Sequence, residues 1–240
     1  MSNLPDLLRD LVIANRILAR EEVVDYLGHI SIRHPERPDR FFLSCSRSPA
    51  LVTLDDIMEF DLDCNPIDQR GRSMYFERPI HGAIYQARPD IQSVAHNHAY
   101  EVLPFAIAYN VKLRAVVHPA CNIGLEVPVW DIRTKFGDTN LLVTTMEHGR
   151  DLAATLGTNK AALMRNHGCV VAASSLREAV LNAVYLKVNA RLQAEAMRLG
   201  DEISYLTPGE LEKTAELVNG PNSLQRAWEY WARRAGADKL

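Results

Sequence analysis

His96 and His98 flank Asn97 in the run IQSVAHNHAYE, residues 91–101. A strand sends alternate side chains to one face, so histidines at i and i+2 can present two ring nitrogens to a single point. That is a geometry a metal ion can use. Two such histidines serve as readily as surface groups or hydrogen-bonded core groups, so a third donor is needed to decide between the readings. His167 is a candidate: in AALMRNHGCVVAA, two apolar strand-like runs enclose Asn166-His167-Gly168, which reads as a tight bend. Three neutral imidazoles with an open fourth position are what a catalytic divalent-metal site requires, since the vacancy admits water or substrate. Imidazole ligands do not by themselves name the metal.

Other polar residues stand where chemistry is possible. Glu77 opens the segment ERPIHGAIYQAR, whose Ile80, Ile84 and Tyr85 share a helical face, with Pro79 near the first turn. A carboxylate there is stabilised by the helix dipole, which is also an ordinary reason to find one. Ser44, Ser46 and Arg47 follow the strand-like run of Phe41 to Leu43 and could receive an anionic group, or form a plain polar loop. Gly28 and His29 stand at the entrance of the preceding hairpin.

The elements that would position these residues follow from periodicity. Leu4, Leu7, Leu8, Leu11, Ala14 and Leu18 recur at helical spacing over 4–20. Ile30 with Ile32, and the 41–43 run, form two short strands around a Pro- and charge-rich turn, and 57–62 is another strand. A helix over 77–88 ends at Arg88-Pro89-Asp90, and the strand carrying His96 follows. Residues 101–109 are expected as helix, 113–117 as a strand ending at His118, and 124–130 as an edge segment because of Pro128. A helix over 148–156 stops at Gly157. A long helix then starts at Ser174 or Ser175 and stops at Gly200, with Leu176, Ala179, Val180, Ala183, Leu186, Ala190 and Ala194 as its packing stripe. One or two helices follow from 207. Trp228 and Trp231 share a face there, suited to docking on the core or on a neighbouring subunit.

With 240 residues and 47% hydrophobic content, the chain can bury a full core, and no repeat, low-complexity tract or linker divides it. We expect one α/β domain over 1–240, with a helical tail over about 207–240. A net charge of -3 with both signs dispersed gives no basic stripe, which argues against nucleic-acid partners. Cys45, Cys64, Cys121 and Cys169 are far apart and form no CxxC pair. The first 20 residues carry regular charges and lack the apolar centre of a signal peptide, and no run approaches a membrane span. A cytoplasmic protein with no membrane partner is the expectation.

The order of Glu77, helix, Arg-Pro-Asp, His96-Asn-His98 and the late Asn-His167-Gly turn, with the GHIS segment at 28–31, resembles the class II aldolase/adducin family from about residue 25 to 191. The resemblance implies a three-layer α/β/α fold with a central, mainly antiparallel sheet, a homotetramer, and a metal site near a subunit interface. It implies His96, His98 and His167 as ligands to one divalent ion per subunit (manganese, zinc or iron), and Glu77 as acid/base. Sugar-phosphate aldolases of the family carry a GNxS turn and Ser-Ser-Glu, where this chain has Gly28-His29-Ile30-Ser31 and Tyr75-Phe76-Glu77. LSCSRSPALVT, His118 and the terminal RAWEYW look instead like the decarboxylase branch, which acts on hydroxylated aromatic or pyridine dicarboxylates. The expected activity is therefore metal-dependent, non-oxidative decarboxylation of a hydroxy-aromatic acid, a small-molecule substrate. Arg47, Ser44 and Ser46 would hold a second carboxylate, with His29 or His118 assisting. The alternatives are an aldolase for a non-phosphorylated hydroxy-ketone or hydroxy-acid, a non-haem iron oxygenase, and a non-catalytic adducin-like interaction module.

Overall fold

The computed structural model describes residues 3–108, 110–200 and 202–237. The chain opens with α1 (Leu4–Arg20), capped by the Asn3 side chain, which accepts the Asp6 N–H. The strands β1 (His29–Arg33) and β2 (Arg40–Ser44) pair as a hairpin, and β3 (Ile57–Asp61) extends it on the outside. After α2 (Pro79–Ala87), β4 (Ser93–Asn97) returns to lie against the inner side of β1. The remaining elements are α3 (Leu103–Ile107), β5 (Val129–Trp130), α4 (Arg133–Phe136), α5 (Met146–Leu156), β6 (Ala161–Met164), β7 (Gly168–Ala173), α6 (Leu176–Leu199), α7 (Pro208–Val218) and α8 (Pro221–Arg234).

Among the described residues the sheet has seven strands in the order β3-β2-β1-β4-β7-β6-β5. Every pairing is antiparallel except that of β5 with β6. Helices cover both faces. Ile30, Ile32, Ala95, Val171 and Ala173 pack toward α1, α6 and α8, whereas Val94, Val170 and Ala172 pack toward α2 and α5. This is the three-layer α/β/α arrangement with a mainly antiparallel sheet that the resemblance implied. The long helix starts on Ser175, whose hydroxyl accepts the Glu178 N–H, and its stripe from Leu176 to Ala190 is buried. Trp228 and Trp231 bury their rings in the same layer of this chain.

Two expected elements differ. Residues 113–117 form no strand, because α6 meets their backbone with side-chain amides instead of a neighbouring strand. Asn189 Oδ1 accepts the Val116 N–H at 2.8 Å, and Gln193 Oε1 accepts the Arg114 N–H at 2.9 Å. Asn189 Nδ2 donates to Arg114 O, and Gln193 Nε2 to Lys112 O, each at 2.7 Å. Buried peptide groups need a partner, and amide side chains satisfy them as a strand would. The helix expected over 101–109 is confined to α3, since the backbone turns extended at Ala108; Tyr109 lies outside the described residues.

Candidate metal centre

The registers of the sheet build the site. β1 and β4 align so that His29 faces His96 directly, on the side covered by α2. His98 stands one residue beyond the end of β4. His167 occupies the turn between β6 and β7, where Asn166 takes φ 55°, a left-handed conformation that asparagine tolerates. Gly168 is required there: a Cβ would lie 2.4 Å from Asn97 O and 2.6 Å from His98 Cδ2. Glu77 sits just ahead of α2, and its Oε1 accepts the Val143 N–H at 2.9 Å.

Glu77, His96, His98 and His167 thus offer four ligand atoms that all lie within 4.8 Å of one another. Their chemistry fits a divalent cation. His96 Nδ1 donates to Cys169 O at 3.1 Å, which leaves His96 Nε2 as a bare lone pair. His96 Nε2 and His98 Nε2 are buried and make no hydrogen bond. Glu77 Oε2 lies 3.4 Å from both His96 Nε2 and His167 Nε2. That spacing exceeds the roughly 2.7–2.9 Å of a charge-assisted hydrogen bond. That gap leaves the two imidazole nitrogens available to a cation, with Glu77 Oε2 beside them.

The electrostatics agree. Burial alone would raise the Glu77 carboxyl, but positive charge placed where His96 and His167 face it outweighs burial and holds it well below the usual carboxylate range. Burial, with His96 and His167 nearby, pushes His98 down to about 3, so this imidazole is neutral and able to ligate.

The group opens on a cavity of about 360 Å³ whose lining includes His29, Ser46, Arg47, Glu77 and His98. Tyr26, Leu27, Tyr75, Phe76 and Leu142 give it aromatic and apolar walls. Arg47 reaches Asp56 Oδ1 at 3.2 Å. Tyr75 braces this loop, donating its hydroxyl to Arg47 O. Two expected substrate residues lie elsewhere. Ser44 is wholly buried at the end of β2, behind the lining, beside Tyr75. His118 begins a short 3-10 turn and lines a separate cavity with Leu181, Tyr185 and Trp231, so within one chain it does not reach the four-residue group.

Several residues around the group carry no strong mark in the sequence. His81 on α2 is fully buried, bonded to His29 and Ser31, and Tyr85 lies one turn further on. Their signal was present: His81 and Tyr85 are four apart on a helix, and His29 and Ser31 alternate with the apolar Ile30 and Ile32. Tyr75 and Val143 sit in loops that carry no periodic signal.

The model of the Class II Aldolase and Adducin N-terminal domain family matches residues 9–194 of this chain. The decarboxylase tropJ of Talaromyces stipitatus is 34% identical, over 94% of this chain and 92% of that protein. A 3,4-dihydroxyphthalate decarboxylase of Arthrobacter keyseri is 28% identical, over 95% of this chain and 93% of its own length. In the fold, a crystal structure of an aldolase II superfamily protein from Pseudomonas syringae superposes with TM-score 0.78 at 22% identity, covering 97% of this chain and 94% of that one.

Proposed function

Because this chain belongs to the class II aldolase and adducin family, we propose that it is a divalent-metal-dependent carbon–carbon lyase that decarboxylates a hydroxylated aromatic or heteroaromatic acid without oxidation. The observation that carries the reading is the four-donor group of Glu77, His96, His98 and His167 opening on a pocket with aromatic walls and an arginine. Similarity to decarboxylases along nearly the whole chain supports this branch over aldol cleavage.

His96, His98 and His167 would hold the ion. When bound, it supplies Lewis acidity toward a substrate oxygen. The chain's own residues do the rest. Tyr75, Phe76 and Leu142 orient a flat ring and limit water, and Arg47 binds a carboxylate. Val143 anchors Glu77 Oε1, so Oε2 is the atom that moves a proton. It takes the proton of the substrate hydroxyl and returns it to the ring carbon. As the bond to the departing carboxyl carbon breaks, its electron pair stays on the ring carbon and carbon dioxide leaves; Glu77 is ionised again after the second transfer. We read the chain as one catalytic unit with α7 and α8 as its tail, working as a homotetramer in the cytoplasm. Among the described residues no helix is long and apolar enough to cross a membrane.

The test is carbon dioxide release from 3,4-dihydroxyphthalate and related hydroxy-aromatic acids by protein loaded in turn with manganese, zinc and iron. Release that stops on chelation supports the reading. No release from any of them, together with turnover of an unphosphorylated hydroxy-ketone, would replace it with an aldolase; oxygen uptake with Fe(II) would replace it with an oxygenase.

A further inference from the structure

We propose that His29 is a fixed hydrogen-bond donor to a substrate oxygen, its Nε2–H turned to the pocket by a buried chain through His81, Ser31 and Tyr85. The inference rests on the reading that this pocket takes the substrate. His29 Nδ1 lies 2.6 Å from His81 Nε2, His81 Nδ1 lies 2.6 Å from Ser31 Oγ, and Ser31 Oγ lies 2.7 Å from Tyr85 Oη. All four residues are at most 3% exposed. The ladder follows from matched spacings. His29 and Ser31 are two apart on one face of β1, about 6.8 Å, and His81 and Tyr85 are four apart on α2, about 6 Å. The chain therefore runs from the pocket wall into the layer between sheet and helix.

Counting hydrogens gives it a direction. Each contact holds one hydrogen, and each neutral imidazole carries one. Suppose Tyr85 donates to Ser31, Ser31 to His81 Nδ1, and His81 Nε2–H to His29 Nδ1. Every hydrogen then sits in a contact of 2.7 Å or less, and His29 carries its own on Nε2. In the reverse arrangement His81 Nδ1–H donates to Ser31. The 2.7 Å contact can use only one of the two hydroxyl hydrogens, and the acceptor left for Ser31 is Val94 O at 3.5 Å. That is the limit of a hydrogen bond, and a buried donor left with so poor an acceptor is the costlier state. The forward arrangement prevails.

With Nδ1 taken by His81, Nε2 is the nitrogen left for the pocket that His29 lines. His29 stands outside the group of four possible ligands, although its ring centroid is only 5.2 Å from that of His96. A donor fixed at this place favours a carboxylate, phenolic or carbonyl oxygen, which accepts its hydrogen, and disfavours an ammonium or amine, which would face it with hydrogens of its own. His81, Ser31 and Tyr85 are positioning residues: they act through His29.

The tautomer can be read directly. In zinc-loaded protein with ¹⁵N-labelled histidine, two-bond ¹H–¹⁵N correlations tell which nitrogen of each ring is protonated, and His29→Gln assigns the His29 signals. We expect hydrogen on Nε2 and a bare Nδ1. Ser31→Ala should release His81 and turn His29 into a mixture of tautomers, weakening the binding of 3,4-dihydroxybenzoate about five-fold. Ser31→Thr, which keeps the hydroxyl, should restore both. Hydrogen on Nδ1 in the wild-type protein would overturn the proposal, as would a Ser31→Ala spectrum with the His29 tautomer unchanged. The wild-type spectrum decides without any variant. Because no turnover is needed, an absence of carbon dioxide release would count against the proposed reaction and leave this reading standing.

Discussion

The two faces of the sheet are built from the same strands and do opposite work. Toward α1 and α6, β1 and β4 present Ile30, Ile32 and Ala95, all in an aliphatic core. Toward α2 they present His29, Ser31 and His96, with His81 and Tyr85 meeting them from the helix. Strand alternation makes this possible, since one residue packs in the aliphatic core and the next stays polar with no insertion between them. The buried polar face stays tolerable because its nitrogens and hydroxyls find each other or a carbonyl, except the ring nitrogens aimed at the four-donor group or left for the pocket. In the proposed reading the difference separates stability from activity.

Substitutions on either side can break that separation. The largest effect is expected at Glu77→Gln. Turnover should fall about 10²- to 10⁴-fold as the proton carrier is lost, with metal content and melting temperature near wild type. An unchanged rate in a carbon dioxide assay would remove Glu77 from the chemistry. Next comes Ile30→Ala on the aliphatic face. It should cost about 2–5 kcal/mol in urea unfolding while the folded fraction keeps its full metal content, because its neighbours His29 and Ser31 point the other way. Loss of metal in step with that loss of stability would mean the two faces are not independent. Metal itself should stabilise the wild-type protein by about 2.7 kcal/mol at a free concentration one hundred times its Kd, read as a shift in Tm. The smallest effect is expected at Arg47→Ala. Its guanidinium is shared with Asp56 and is partly exposed, so KM for an aromatic acid should rise about ten-fold with kcat nearly kept. A fall in kcat alone would point to a role in the reaction rather than in binding.

How much of this could be read in the chain follows the same division. Histidines in a strand and at a glycine bend have local signatures, so His96, His98 and His167 stood out, as did the helices with long apolar stripes. The polar chain behind His29 did not, because a lone histidine such as His81 on an apolar helix face looks like any packed residue until its partner is known. Residues 113–117 read as a strand because their side chains alternate; only the packing against Asn189 and Gln193 shows where their backbone bonds go. The pocket wall at Tyr75 and the anchor at Val143 are tertiary facts, set by loops whose course no local pattern dictates.

A divalent ion held by three histidines, two at the end of β4 and one in the β6–β7 turn, can be counted by elemental analysis of purified wild-type and His167→Ala protein, each refilled with metal and desalted. About one ion per wild-type chain and almost none in the variant are expected, with both proteins folded by circular dichroism. Equal metal in the two, or none in either after refilling, would contradict the three-histidine site.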